Sequence, residues 1–250
     1  MSRISLIACC ALCICLSSSL LAFTDADIGS YQKEISDRPV GEKIALWAER
    51  FVGTPYDPDP RGAYVTRGVV VADDMVDCMY LTFRSVELAM SHSPEEAIKV
   101  ALDKRFRKTG IASDGKVLNY EGRFEYGEDM LESGKWGREI TKQIGPVTSI
   151  IGSRGRERVT MVAREALLPE PAEFEARLKS GDIVFFIKDP GKRVAGEIVG
   201  HIGIIKREGD ADYLIHASGR KGRGGSVKKV FFSEYLTSMP FVGIRVSRFD

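Results

Sequence analysis

Three residues of this chain have the types and spacing for nucleophilic acyl chemistry. Cys78 follows the acidic stretch Asp73-Asp74-Met75-Val76-Asp77 and opens a segment, Cys78–Met90, without glycine or proline. His201 stands in Gly200-His201-Ile202-Gly203, and His216 in Leu214-Ile215-His216-Ala217-Ser218. A nucleophilic thiol needs a base to take its proton, and the base needs a third group to fix its tautomer. At a helix N-terminus, unpaired N–H groups and the positive dipole end predict a thiol pKa below the usual ~8.5. Taken singly, Cys78 reads equally as a buried core cysteine, and each histidine as a structural residue at a strand end. The third histidine, His92, sits in a polar helix-end loop and reads as solvated.

The elements that must hold these side chains follow from periodicity. At 3.6 residues per turn, Cys78, Leu81, Ser85 and Leu88 share one face of a helix, and Met79, Phe83, Val86 and Met90 another. A helix apolar on two faces is packed on more than one side. Upstream, Val40–Val52 predicts an amphipathic helix, Gly53–Pro60 a proline-rich loop, and Tyr64–Val71 a short strand. Asp25–Asp37 reads as a polar, partly ordered lead-in, and Ser93-Pro94-Glu95-Glu96 opens a helix to about Lys108. Short strands are expected at Val147–Ile151 and Arg158–Val162, and a short helix at Pro169–Lys179. Strands are then predicted at Asp182–Lys188, Gly200–Lys206, Tyr213–His216, Val227–Phe231 and Phe241–Val246, with a helical turn at Ser233–Ser238. A hairpin through Glu208–Asp210 brings His201 and His216 together. Helices first and strands later predict an α+β fold, its antiparallel sheet packed on the cysteine helix.

The N-terminus carries a different message. Arg3, the apolar run Ile4–Leu16 and the small residue Ala22 predict a secretory leader over 1–22, with an exported, periplasmic or secreted protein. Leu6-Ile7-Ala8-Cys9 also looks like a lipoprotein cleavage box. Four of the five cysteines fall within this leader, so the mature chain of 23–250 has one thiol and no internal disulfide. The leader run is too short for a comfortable membrane span. A net charge of +1 over 250 residues gives no sign of a nucleic-acid binder. The length fits a single domain, with a monomer taken as the unit. No cofactor is called for, because two histidines without a spaced third ligand make a poor zinc site.

Five motifs stand in a fixed order: Gly53-Thr54-Pro55-Tyr56, Asp77-Cys78, Gly181-Asp182-Ile183-Val184-Phe185-Phe186, His201-Ile202-Gly203-Ile204 and His216-Ala217-Ser218. Together they resemble the NlpC-type cysteine peptidases and amidases of bacterial peptidoglycan, which have a papain-like fold. The resemblance covers Ala45–Tyr56, Asp73–Met90 and Leu178–Ser218. It implies Cys78 as nucleophile, His201 as general base, His216 as the orienting residue and Tyr56 as an oxyanion donor. It also implies Asp77 as a substrate-recognition residue beside the thiol. Where relatives carry Ser-Gly-Leu after the cysteine, this chain has Met79-Tyr80-Leu81, and it lacks their Trp-Gly-Gly.

The insertion, 93–171, with Tyr120 through Trp136 and Arg123 between them, is similar to an N-acetylmuramoyl-L-alanine amidase-like branch, as is Gly243-Ile244-Arg245-Val246. That branch carries Thr two residues and Glu five residues after the cysteine; here Tyr80 and Phe83 stand there. Tyr80, within a turn of the thiol, is therefore an expected specificity residue. Arg123 and Trp136 are expected either to line a sugar subsite or to hold the insertion's own core. The implied activity is hydrolysis of the muramoyl–L-alanine amide in peptidoglycan or muropeptides. Cleavage of the γ-D-glutamyl–diamino acid bond, a non-catalytic wall-fragment binder and an acyl transferase are the other readings. The basic loop Arg220–Gly225 reads as a solvated hairpin end or a contact for anionic wall polymers.

Overall fold

The computed structural model describes residues 23–169 and 171–250, so the expected leader lies outside the described residues. The chain enters through α1 (Asp25–Glu34), where a lead-in was expected. A reciprocal capping box fixes its start: the Thr24 hydroxyl accepts from the Asp27 N–H, while the Asp27 carboxylate accepts from the Thr24 N–H. Gln32 Nε2 then donates to the carbonyls of Leu88 and Ser91, tying α1 to the end of the cysteine helix. Helix α2 (Val40–Arg50) buries Ile44, Trp47 and Ala48, the stripe its spacing predicts.

The strand expected at Tyr64–Val71 is instead a short helix, α3 (Ala63–Arg67). Gly62 at φ 89° and Gly68 at φ 67° bracket it, and Gly68 closes it in the left-handed conformation that disfavours other residues. The β-branched pair Val65-Thr66 suits a strand, but these glycine ends override it.

Helix α4 (Cys78–Ala89) starts at its predicted residue, and every position from Tyr80 to Ala89 is buried. Two of those positions carry charges, and each is matched. Arg84 grips Asp73 through two hydrogen bonds of 2.9 Å. Glu87 receives two from Arg105, at 2.6 and 2.7 Å. Arg105 ends α5 (Pro94–Lys104), whose Ser93 cap is as predicted. The ion pairs thus lock α4 to the preceding loop and to the start of the insertion. The insertion continues through a two-residue pair, β1 (Ala112–Ser113) and β2 (Lys116–Val117). Then come α6 (Gly127–Glu132), β3 (Arg138–Glu139) and α7 (Thr141–Ile144).

The remaining strands are β4 (Val147–Ile151), β5 (Arg158–Ala163), β6 (Ile183–Ile187), β7 (Val199–Glu208), β8 (Ala211–Arg220), β9 (Gly224–Phe231) and β10 (Gly243–Arg248). Two short helices, α8 (Arg164–Leu167) and α9 (Pro171–Glu175), join β5 to β6, and α10 (Phe232–Ser238) follows β9. They form one antiparallel sheet ordered β4-β5-β10-β6-β7-β8-β9, with β3 also pairing on β10. Strand β6 is buried throughout because both faces are covered. Ile183, Phe185 and Ile187 pack toward the cluster containing α2 and α4. Val184 and Phe186 face a second cluster with Phe232 and Leu236 of α10. This is the expected arrangement of a mixed fold with its antiparallel sheet packed against α4. No helix among the described residues is long and apolar enough to cross a membrane.

Candidate active site

Cys78 occupies the first helical position of α4, and Asp77 caps the helix by accepting the Tyr80 N–H at 2.8 Å. The thiol opens into a groove of about 450 Å³ shared with Tyr56, Asp77, Arg123 and His201. The β7–β8 ladder runs only as far as Ile204 opposite Ile215, so the two strands part toward their histidine ends. Cys78 and Ile202 both line the groove at the edge this parting exposes, and the Ile202 N–H favours the thiolate there.

The two histidines meet across the parted strands: His201 Nε2 lies 2.8 Å from His216 Nδ1. Phe186 and Phe241 stack along the His201 ring, while Tyr235 of α10 packs edge-on against His216 at 4.8 Å between centroids. In the tautomer where His201 Nε2–H donates to His216, the Nδ1 lone pair of His201 is left free to accept a proton. Three fixed aromatic walls leave that imidazole one orientation.

The electrostatics differ from the helix-dipole expectation. Burial pushes the Cys78 thiol up to about 12, and the Asp77 carboxylate adds to this. The Ile202 N–H, Lys221 and the Cys78 N–H pull it down by less. Burial, then repulsion from His216, lowers His201 to about 3, and burial with Lys228 lowers His216 to about 4. All three shifts favour the uncharged forms of the thiol and of the two imidazoles. This has a consequence for stability. Between pH 6.5 and 4 the two histidines bind protons in the unfolded chain that they do not bind in the fold, so their contribution to stability falls as pH falls, partly offset by Asp212, whose carboxyl burial raises to about 6. Urea midpoints are expected to drop across that window, and to drop less in the His216→Gln protein.

Tyr56 is placed by backbone pairing on both sides. Its N–H donates to Gly225 O on β9, while Val76 N–H donates to Pro55 O and Asp57 N–H to Val76 O. Its ring lies over Gly219 so closely that a Cβ there would fall 2.2 Å from the ring. Burial, followed by the nearby Cys78 and Asp77 charges, raises the phenol far above its usual range, so it remains a proton donor. Asp77 turns its second oxygen to Lys221 Nζ at 3.0 Å. Arg123 reaches the groove and pairs with Glu125 at 2.7 Å.

Two expected substrate residues are not in the groove. Tyr80 is 1% exposed. Its hydroxyl donates to Asp73 and accepts from the Ala72 N–H, which holds the loop ahead of the cysteine. Trp136 is fully buried against Phe83, so it belongs to the core and not to a sugar subsite. The side chain at the second position after the thiol turns inward because α4 is buried along that face.

Other residues at the site carried weaker sequence signals. Gly219 lies inside a strand, and a strand glycine marks a close approach. Lys221 belongs to the basic loop, and the groove uses it to neutralise Asp77. Glu128 gave no signal at all. It is fully buried, and its two oxygens accept the N–H groups of Ile198 and Val199 at 3.2 and 3.0 Å. The insertion thereby anchors the start of the strand that bears His201. No cluster of three or more His, Cys, Asp or Glu side chains among the described residues could hold a metal ion.

No protein-family model matches the chain, and no curated protein does. Solved structures do. An N-acetylmuramoyl-L-alanine amidase from Bacteroides uniformis aligns with a TM-score of 0.62 at 21% identity, over 84% of this chain and 98% of its own. A Legionella pneumophila protein of the DUF1460 family aligns with a TM-score of 0.65 at 16% identity, over 89% and 93%. The chain shares their fold. At these identities the likeness is one of architecture.

Proposed function

We propose that the protein is a cysteine hydrolase that cleaves the amide between N-acetylmuramic acid and L-alanine in peptidoglycan or its released muropeptides. The observation that carries this reading is the thiol at the head of a buried helix, opening on a groove with an imidazole oriented by a second imidazole. The substrate class comes from the amidase that shares the fold, and export to the cell wall from the secretory leader that the sequence predicts over 1–22.

In this account the Cys78 proton passes to His201 Nδ1 as the sulfur attacks the amide carbonyl. The tetrahedral oxyanion is held by the Cys78 N–H and the Tyr56 hydroxyl. His201 returns the proton to the leaving amine, and a thioester remains on Cys78. Water, deprotonated by His201, then adds to the thioester. Its collapse frees the muramoyl carboxylate and regenerates the thiol. His216 holds His201 in the tautomer that both half-reactions need, and Asp77 and Arg123 offer polar contacts for the substrate.

Tyr56→Phe removes one oxyanion donor and keeps the ring over Gly219. Its kcat is expected to fall about 100- to 1,000-fold with little change in KM, measured by steady-state kinetics. The reading itself is tested by mass spectrometry of products from a defined muropeptide. Free sugar plus the whole stem peptide supports it. A shortened stem assigns the γ-D-glutamyl bond instead, and an untouched substrate removes the hydrolase reading.

A further inference from the structure

We propose that Arg61 selects substrates bearing a free carboxylate one residue beyond the scissile amide. The inference deepens the amidase reading and rests on it. Arg61, Arg123 and Lys221 line the groove, and so do Asp77, Glu125 and Glu197. Five of these six charges are already matched. Lys221 pairs with Asp77 at 3.0 Å, and Arg123 with Glu125 at 2.7 Å. Glu197 pairs with Lys188 and accepts the N–H groups of Val194 and Ala195. Arg61 is exposed, and among the described residues its guanidinium has no hydrogen bond or ion pair. Arg61 is therefore the one of these six charges without a hydrogen bond or ion pair among the described residues, at the wall formed by the loop after Tyr56.

The backbone presenting Arg61 is fixed in advance. Asp57 accepts the N–H groups of Asp59 and Ala63 at 2.9 and 2.5 Å. Asp59 accepts the Arg61 N–H at 2.8 Å through its carboxylate, and the Gly62 N–H at 3.1 Å through its carbonyl. The Asp59 carboxylate thus accepts the loop's own amide. The Thr66 hydroxyl, then that amide, and to a smaller degree the Arg61 charge hold its carboxyl below the usual range, without a hydrogen bond between the Arg61 and Asp59 side chains. A guanidinium on a preformed loop offers a planar fork that matches a carboxylate with two parallel hydrogen bonds. Arg61 and Cys78 line the same groove, and one residue spans roughly 3.5 Å, so Arg61 is assigned to a group on the second stem residue. In a muropeptide that group is the α-carboxyl of the γ-linked glutamate.

Two muropeptide tripeptides that differ only in this α-carboxyl, free or converted to the carboxamide, give the test. Wild-type protein is expected to favour the free acid in kcat/KM by roughly 10- to 100-fold, the span of a charge-assisted hydrogen bond. The Arg61→Ala protein is expected to bring the ratio close to one, and Arg61→Lys to keep part of it. Thermal midpoints for each variant check that the fold is intact. If wild type cuts both substrates equally, the inference is overturned while the amidase reading stands. If wild type cuts neither, the amidase reading fails, and this inference with it. An unchanged ratio in Arg61→Ala assigns the preference to another residue and also overturns the proposal.

Discussion

Turnover is expected to vanish in the Cys78→Ala protein while the fold remains. Alanine is the best helix former and sits easily at the first position of α4, whose cap comes from Asp77 rather than from the thiol. The nearby polar partners of the sulfur are backbone N–H groups at the groove edge. What the change removes is the proposed nucleophile, the thiol that shares the groove with His201. On the proposed mechanism the variant keeps the substrate groove and the oxyanion donors, and is expected to lose the covalent step. Loss of a nucleophile of this kind costs roughly 10,000-fold or more in kcat. Cys78→Ser separates nucleophile from packing, because it keeps the shape and replaces sulfur with a far weaker nucleophile. Both variants should unfold at the wild-type denaturant midpoint and fail in the same product assay.

The largest expected effect on stability lies away from the thiol. Arg105→Ala leaves Glu87, which is completely buried, without either of its short hydrogen bonds from Arg105. It also leaves the Val70 carbonyl without its 2.7 Å donor. The neighbouring Arg84 already divides itself between Asp73 and a longer 3.6 Å approach to Glu87, so it is no full replacement. Removing one partner of a buried pair costs about 3–5 kcal/mol, because the remaining charge stays out of water. Equilibrium unfolding in urea should show a loss of that size. The loss should change little with added salt, since mobile ions do not reach the pair. A Glu87→Leu, Arg105→Met double variant should recover much of it, because it removes both charges. The same network fixes Asp73 and, through Tyr80, the loop leading into Cys78. Arg105→Ala is therefore expected to lower kcat in protein that remains folded.

The legible parts of the sequence are those set by local spacing. The cysteine helix is readable from an apolar pattern on two faces, and the C-terminal strands from alternation and turn residues. The hairpin between β7 and β8 places His201 and His216 together because one turn separates them. Tertiary context decided the rest. Val65 and Thr66 favour a strand, yet glycines on either side turn them into α3. The dipole at α4 favours a low thiol pKa, yet burial and Asp77 outweigh it. Tyr80 and Trp136 have the chemistry of binding residues, but both point into the core, a direction that depends on how α4 and the insertion pack. Glu128 is the clearest case of silence, since a buried carboxylate that caps a strand start looks in sequence like any surface acid.

The central claim is that Cys78 carries the acyl group between two half-reactions. The direct measurement is an acid quench of excess protein mixed with a defined muropeptide, followed by mass spectrometry of the peptide that contains Cys78. The account predicts a muramoyl thioester on Cys78, together with free stem peptide, and neither species in the Cys78→Ala protein. Stem peptide released by Cys78→Ala at the wild-type rate would contradict it.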